Sequence, residues 1–192
     1  MTDLREQLQH CLRGRVCLMG LGNVDYGDDG FGVYLAESIA ARLTRGGQVS
    51  LARQVISAGM MPERYIGYVT AKDFDQLVFL DAVEWSGAPG SVLLLNVEEL
   101  TARFPQISTH KMSLGLLAKL INGGKRTKVW LLGVQPDSLN SERGLTTTMQ
   151  TTVELLSELV CEILISMKET GDQVPYSSPD MIEPTALNGQ DA

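Results

Sequence analysis

The sequence predicts an α/β fold: a twisted, mostly parallel sheet covered by helices on both faces, in three layers. Three observations lead there. Short apolar runs such as Val16-Cys17-Leu18-Met19 and Leu77-Val78-Phe79-Leu80 show no apolar–polar alternation, as strands buried on both faces do. Between such runs, apolar residues recur every three or four positions, the period of a helix with one buried stripe. The two kinds of segment alternate along the chain, which implies crossover connections between parallel strands.

Leu4, Leu8 and Leu12 predict a short amphipathic helix over 1–13. The run at Val16 leads into Gly20-Leu21-Gly22, a strand entering a tight turn. Leu35, Ile39 and Leu43 predict a helix over 29–44, closed by Gly46-Gly47. A second strand is expected over 49–56, and a short helix over 61–70 with Pro62 in its first turn. The clearest strand, 77–80, ends on Asp81. Strands over 91–97 and 129–134 flank a helix over 113–121. Met149, Val153, Leu156, Val160, Ile163 and Met167 predict a long amphipathic helix. After Gly171 come Pro175, Pro179 and Pro184, without periodicity. The expected organisation is an N-terminal short helix (1–14), one α/β domain (15–169) and a flexible acidic tail (170–192).

A chain of 192 residues suits one domain with a single core. Its longest uncharged stretch runs from Trp85 to Val97, well short of the roughly 20 residues of a membrane-spanning helix. The first residues carry no apolar signal-peptide region. The net charge of −7 argues against nucleic acid as a partner. The tail contributes Asp172, Asp180, Glu183 and Asp191 and no Lys or Arg. Three cysteines, Cys11, Cys17 and Cys161, form no CxxC pair. They fit a reduced, cytoplasmic protein with buried thiols rather than a disulfide framework or a zinc ribbon. A monomer is the expected state.

In open α/β sheets ligands bind beyond the carboxyl ends of the strands, and three segments place reactive side chains there. The first, Gly20 to Gly32, starts like a dinucleotide fingerprint. Asp25, however, stands where GxGxxG has its third glycine, and Asp25, Asp28 and Asp29 would repel a pyrophosphate. Asp28 or Asp29 caps the following helix, or the pair serves a cation or acid–base chemistry. The second is Asp81, costly to desolvate at the end of a buried strand unless it is paired. It is a turn residue, a metal ligand or a catalytic carboxylate. The third is the loop Ser108-Thr109-His110-Lys111-Met112. Only two histidines exist. His10 is expected to be exposed and inert, and His110 is either an ordinary loop residue or a ligand. Two carboxylates and an imidazole would make a nitrogen/oxygen metal site with open positions. A nucleotide-binding protein remains a further reading of the same pattern.

Four segments in order resemble the hydrogenase maturation endopeptidases. They are Gly20–Gly32, Val78-Phe79-Leu80-Asp81-Ala82, Thr109-His110-Lys111-Met112 and Gly133-Val134-Gln135-Pro136-Asp137. The similarity spans about residues 15–168. It implies an aspartyl-type endopeptidase that removes a C-terminal extension from a NiFe hydrogenase large-subunit precursor after nickel insertion, with nickel as the recognition element. It also implies Asp29, Asp81 and His110 as the metal-binding positions. Nickel would come with the substrate, and another divalent metal is an alternative occupant. Asp28 is the candidate for moving protons. The family often carries Asp-Gly-Gly and then a glutamate after the second strand. Here Gly59 and Glu63 persist, but Ser57 stands in the aspartate position. The alternative from another class is a non-catalytic checkpoint chaperone that binds the nickel-loaded large subunit.

Overall fold

The computed structural model describes residues 3–96, 98–99, 114–122, 127–140 and 144–173. Its elements are α1 (Leu4–Cys11), β1 (Val16–Leu21), a 3-10 turn (Gly27–Gly30), α2 (Phe31–Arg45), α3 (Val49–Ala52), β2 (Val55–Gly59), a second 3-10 turn (Pro62–Tyr65), α4 (Ile66–Ala71), β3 (Gln76–Ala82), β4 (Val92–Asn96), α5 (Leu114–Asn122), β5 (Lys128–Val134) and α6 (Thr147–Thr170).

The five strands lie in the order β2-β1-β3-β5-β4. The β1–β2, β1–β3 and β3–β5 pairs are parallel, and β4 is an antiparallel edge on β5. Every residue of β1 and β3 is buried, which is why β1 and the 77–80 run of β3 are apolar. One face of the sheet, with Leu18, Val78, Leu80 and Leu132, packs on α1, α2 and α6 through Leu8, Leu35, Ile39 and Val160. The other, with Met19, Leu77, Phe79 and Leu131, packs on α4 and α5 through Val69, Leu117 and Ile121. The expected three layers are present.

The segment 49–56 differs from expectation. Val49–Ala52 turns helically, because Ala52 and Arg53 donate to the carbonyls of Gln48 and Val49 at 3.0 and 3.1 Å. Leu51 alone of that turn is buried. The strand starts only at Val55 and runs on to Gly59, so Ser57 lies within it, opposite Gly20 of β1.

Both ends of the chain's described part are tied to the body. Leu8, Cys11 and Leu12 belong to the core beneath α6, so α1 is continuous with the α/β unit. Beyond α6, Gly14 N–H donates to Asp172 O at 2.7 Å. The buried Gln173 donates through Nε2 to Leu12 O and through its N–H to Met167 O. Residues 172 and 173 are therefore bonded to the body of the molecule. The remainder of the tail lies outside the described residues. Ending the chain after Gln173 should leave Tm within about 2 °C, since no periodic apolar residue is lost. Ending it after Gly171 deletes four hydrogen bonds, a cost of about 2 kcal/mol, and Tm should fall by roughly 4–8 °C. Equal melting curves for the two truncations would contradict this docking.

Candidate active site

The order of strands places a topological switch point between β1 and β3. From β1 the chain crosses to β2 on one side and then to β3 on the other. Two candidate carboxylates sit there. Asp29 follows β1 in the turn Gly27–Gly30, and Asp81 is the penultimate residue of β3.

Glycines bring the two strand ends and the turn together. A Cβ on Gly32 would lie 1.9 Å from Leu80 O and 2.5 Å from Leu21 O. A Cβ on Gly20 would lie 2.2 Å from Gly32 O. The first turn of α2 is thus pressed against β1 and β3, and the 3-10 turn packs on β3. At Gly22, φ is +120° and a side chain would strike Asp29 O at 1.8 Å. The GxG spacing serves backbone approach to the turn that carries Asp29, not to a phosphate.

The two adjacent aspartates have different environments. Asp29 is half-buried, and its Oδ2 accepts the Asn23 N–H at 2.8 Å, closing the loop after β1. A carboxylate can accept at about four positions, so Asp29 retains capacity for a cation. Asp28 is fully buried. Its Oδ2 accepts from Asp137 N–H at 2.9 Å, Ser138 N–H at 2.9 Å and Thr146 Oγ1 at 3.0 Å. Its Oδ1 accepts from Thr146 N–H at 2.8 Å. Those four donors fill the acceptor capacity of a carboxylate, and no face of it meets solvent. In this geometry Asp28 ties its turn to the residues after β5.

Asp81 is buried, 2 % exposed. Side chains alternate along a strand, and Phe79 and Val83 face the α4–α5 side, so Asp81 is directed to that side as well. It pairs in register with Gly133 of β5. His110 lies outside the described residues. Among the described residues, no cluster of three His, Cys, Asp or Glu side chains forms a metal site. Among the described residues, Asp29 and Asp81 are carboxylates placed at the two strand ends of the switch point, the hard oxygen donors that divalent cations take.

His10 is exposed, with its ring edge-on to Trp130 at 5.6 Å between centroids. Ser57 Oγ donates to Glu37 Oε1 at 3.4 Å. Two residues gain a role that sequence reasoning does not assign: Thr146 is not among its candidates, and Gln135 stands only within the Gly133–Asp137 run. Thr146, the N-cap of α6, bonds Asp28 through both its N–H and its hydroxyl. Gln135 accepts at Oε1 from Trp85 N–H at 2.9 Å and Gly87 N–H at 3.2 Å. A threonine just before a helical period signals a cap, but not a partner 118 residues away.

Comparison with known proteins shows the family. The hydrogenase maturation protease family model matches residues 33–163. The chain belongs to the hydrogenase maturation protease family. By that membership it is a peptidase. The hydrogenase 2 maturation protease of Escherichia coli is 30% identical over 161 residues, covering 82% of this chain and 93% of the relative. The structure of the NiFe hydrogenase maturation protease HycI from Thermococcus kodakarensis KOD1 superposes with a TM-score of 0.71 at 30% identity, covering 83% of this chain and 99% of that one. The hydrogenase maturating endopeptidase HYBD of E. coli gives a TM-score of 0.61 at 26% identity, with 84% and 97% covered. Of the residues discussed, Asp81, His110, Gln135 and Thr146 fall within the family match, and Asp29 lies four positions before it.

The thiols take no part in this site. Burial pushes Cys11 up to about 12, and Cys161 up to about 11 against a partial lowering by Arg42. It pushes Cys17 higher still. Neutral thiols are poor nucleophiles. Treating the folded protein with iodoacetamide at pH 8 should change peptidase activity less than twofold. Activity lost in step with alkylation would place a cysteine in the chemistry.

Proposed function

We propose that this peptidase removes the C-terminal extension of a NiFe hydrogenase large-subunit precursor once nickel has been inserted, and that the nickel is what it recognises. One observation carries the reading: two oxygen-donor carboxylates, Asp29 and Asp81, at the β1/β3 switch point of a chain in this family. His110, four residues ahead of α5, is the proposed third donor. Neither carboxylate ligand set nor thiol content provides a permanent nickel cage, since soft or numerous ligands are lacking. The metal is accordingly part of the substrate, and another divalent ion can take its place in the isolated protein. Bound there, such a metal polarises a carbonyl or lowers the pKa of water.

The chain's own residues bind and orient. Asp29, held by the Asn23 amide, and Asp81, fixed at the end of β3, present their charge to the same cation. In the reaction, water adds its oxygen to the scissile carbonyl carbon, the C–N bond breaks, and the departing amine takes a proton. Three buried free cysteines suit a reducing compartment, and among the described residues no helix is long and apolar enough to cross a membrane. The proposed setting is the cytoplasm. The test is incubation of the full chain with nickel-loaded precursor, followed by intact-mass measurement. A shortened large subunit is expected. Stable binding with no mass change would instead make the protein a checkpoint chaperone.

A further inference from the structure

Two loops that leave different strands are anchored on one short stretch after β5. The turn carrying Asp29 is held by Asp28, whose carboxylate takes the N–H groups of Asp137, Ser138 and Thr146, and whose own N–H donates to Ser138 O at 3.1 Å. The loop that follows Asp81 is held by the Gln135 side chain, which accepts from Trp85 and Gly87 N–H. Its Nε2 donates to Pro136 O at 3.3 Å, fixing which end of the amide faces the loop. Main-chain bonds continue this second anchor: Gly90 N–H to Gln135 O, and Gln135 N–H to Ser91 O, both at 2.9 Å. The segment Gln135–Ser138 is therefore a common frame for the loops on both sides of the switch point. Thr146 joins the frame to α6, because its Oγ1 donates to Asp28 and accepts from Met149 N–H at 3.4 Å.

A fully buried carboxylate is an expensive way to staple a turn, because desolvating a charge costs more than desolvating a neutral cap. What the charge adds is stiffness: charge-assisted bonds are shorter and roughly twice as strong as neutral ones. Sites that bind or react need their groups held within about 0.5 Å, by partners that are themselves locked.

We propose that Asp28 and Gln135 are positioning residues: through the Gln135–Ser138 frame they set the placement of Asp29 relative to Asp81. This rests on the reading of that carboxylate pair given above. Neither residue touches the reacting atoms. Their effect passes through the two loops.

Four full-length variants test it. Asp28→Asn points amide hydrogens at N–H donors. Gln135→Leu keeps the bulk and removes the acceptor. Thr146→Val removes the hydroxyl, and Thr146→Ser restores it. Each is measured for melting, for binding of Ni²⁺ alone by calorimetry, and for kcat and KM on nickel-loaded precursor. Among variants folded at the assay temperature, Ni²⁺ affinity and kcat should each fall about tenfold or more, in the range seen for supporting partners of metal ligands. KM on the nickel-loaded precursor should rise as Ni²⁺ affinity falls, because docking runs through the nickel, and Thr146→Ser should behave as wild type. If Asp28→Asn does not fold, Gln135→Leu and Thr146→Val decide. Lower Tm with unchanged kcat and Ni²⁺ affinity would make the frame a mere staple and overturn the proposal. A wild-type chain that neither binds Ni²⁺ nor cleaves would instead overturn the functional reading, and this inference with it.

Discussion

Asp29→Ala, Asp81→Ala and His110→Ala should each reduce precursor cleavage by more than about 100-fold, beyond the 10–100-fold that losing a mere supporting partner costs. The first two rest on the carboxylate pair proposed at the switch point. Asp29 spends one oxygen on the Asn23 N–H and keeps the rest of its capacity at the rim. Asp81 stands at the β3 end with its backbone in register with Gly133. Asp29 is half-buried, and alanine there removes a charge and the Asn23 hydrogen bond, a cost of about 1 kcal/mol, so Asp29→Ala should melt only a few degrees below wild type. Asp81 is buried, so Asp81→Asn serves beside Asp81→Ala: it keeps shape and loses a charged donor. Near-normal cleavage by a folded variant would remove its residue from the site.

Gly32→Ala should be among the most damaging small substitutions on the same rim. The new methyl would meet Leu80 O at 1.9 Å and Leu21 O at 2.5 Å, both backbone atoms of central strands. Neither can rotate away as a flexible side chain can. The helix must lift instead, taking with it the turn that carries Asp29. Overpacking of this sort costs about 3 kcal/mol at the upper end of its usual range, a fall in Tm of roughly 10 °C for a domain of this size. Gly67→Ala is the control. It lies within α4 with nothing within 4 Å of a new Cβ, and alanine there should be neutral or stabilise by about 0.5–1 kcal/mol. Comparable melting of the two variants would mean that the close approach of α2 to the strands is not needed.

How far the sequence could be read depends on where each residue's partners lie. β1 and β3 were legible because burial on both faces forces unbroken apolar runs. The long helix was legible because one buried stripe forces its period. The start of β2 was not, since Val49-Ser50-Leu51-Ala52 can bury Leu51 as well from a helical turn as from a strand. The paired aspartates were visible, but their division of labour was not. Asp28 is assigned by donors at Asp137, Ser138 and Thr146, more than 100 residues away. Asp29 is assigned by Asn23, six residues back. The docking of residue 173 was not legible for a similar reason: Gln173 is polar, and two of its partners, Leu12 and Gly14, lie at the other end of the chain. The Gly133–Asp137 segment was recognisable as a pattern. Its role as the anchor of two loops needed coordinates.

The central claim is that the carboxylate rim reads nickel held by the substrate. A paired assay tests it most directly: nickel-loaded and nickel-free precursor at equal concentration, with the peptidase stripped by a chelator beforehand and the products weighed by intact mass. Losing the coordination by Asp29, Asp81 and His110 should weaken docking by about 4 kcal/mol, a thousandfold. The nickel-loaded precursor should therefore be shortened while the nickel-free one stays intact. Cleavage of both at comparable rates would contradict the account.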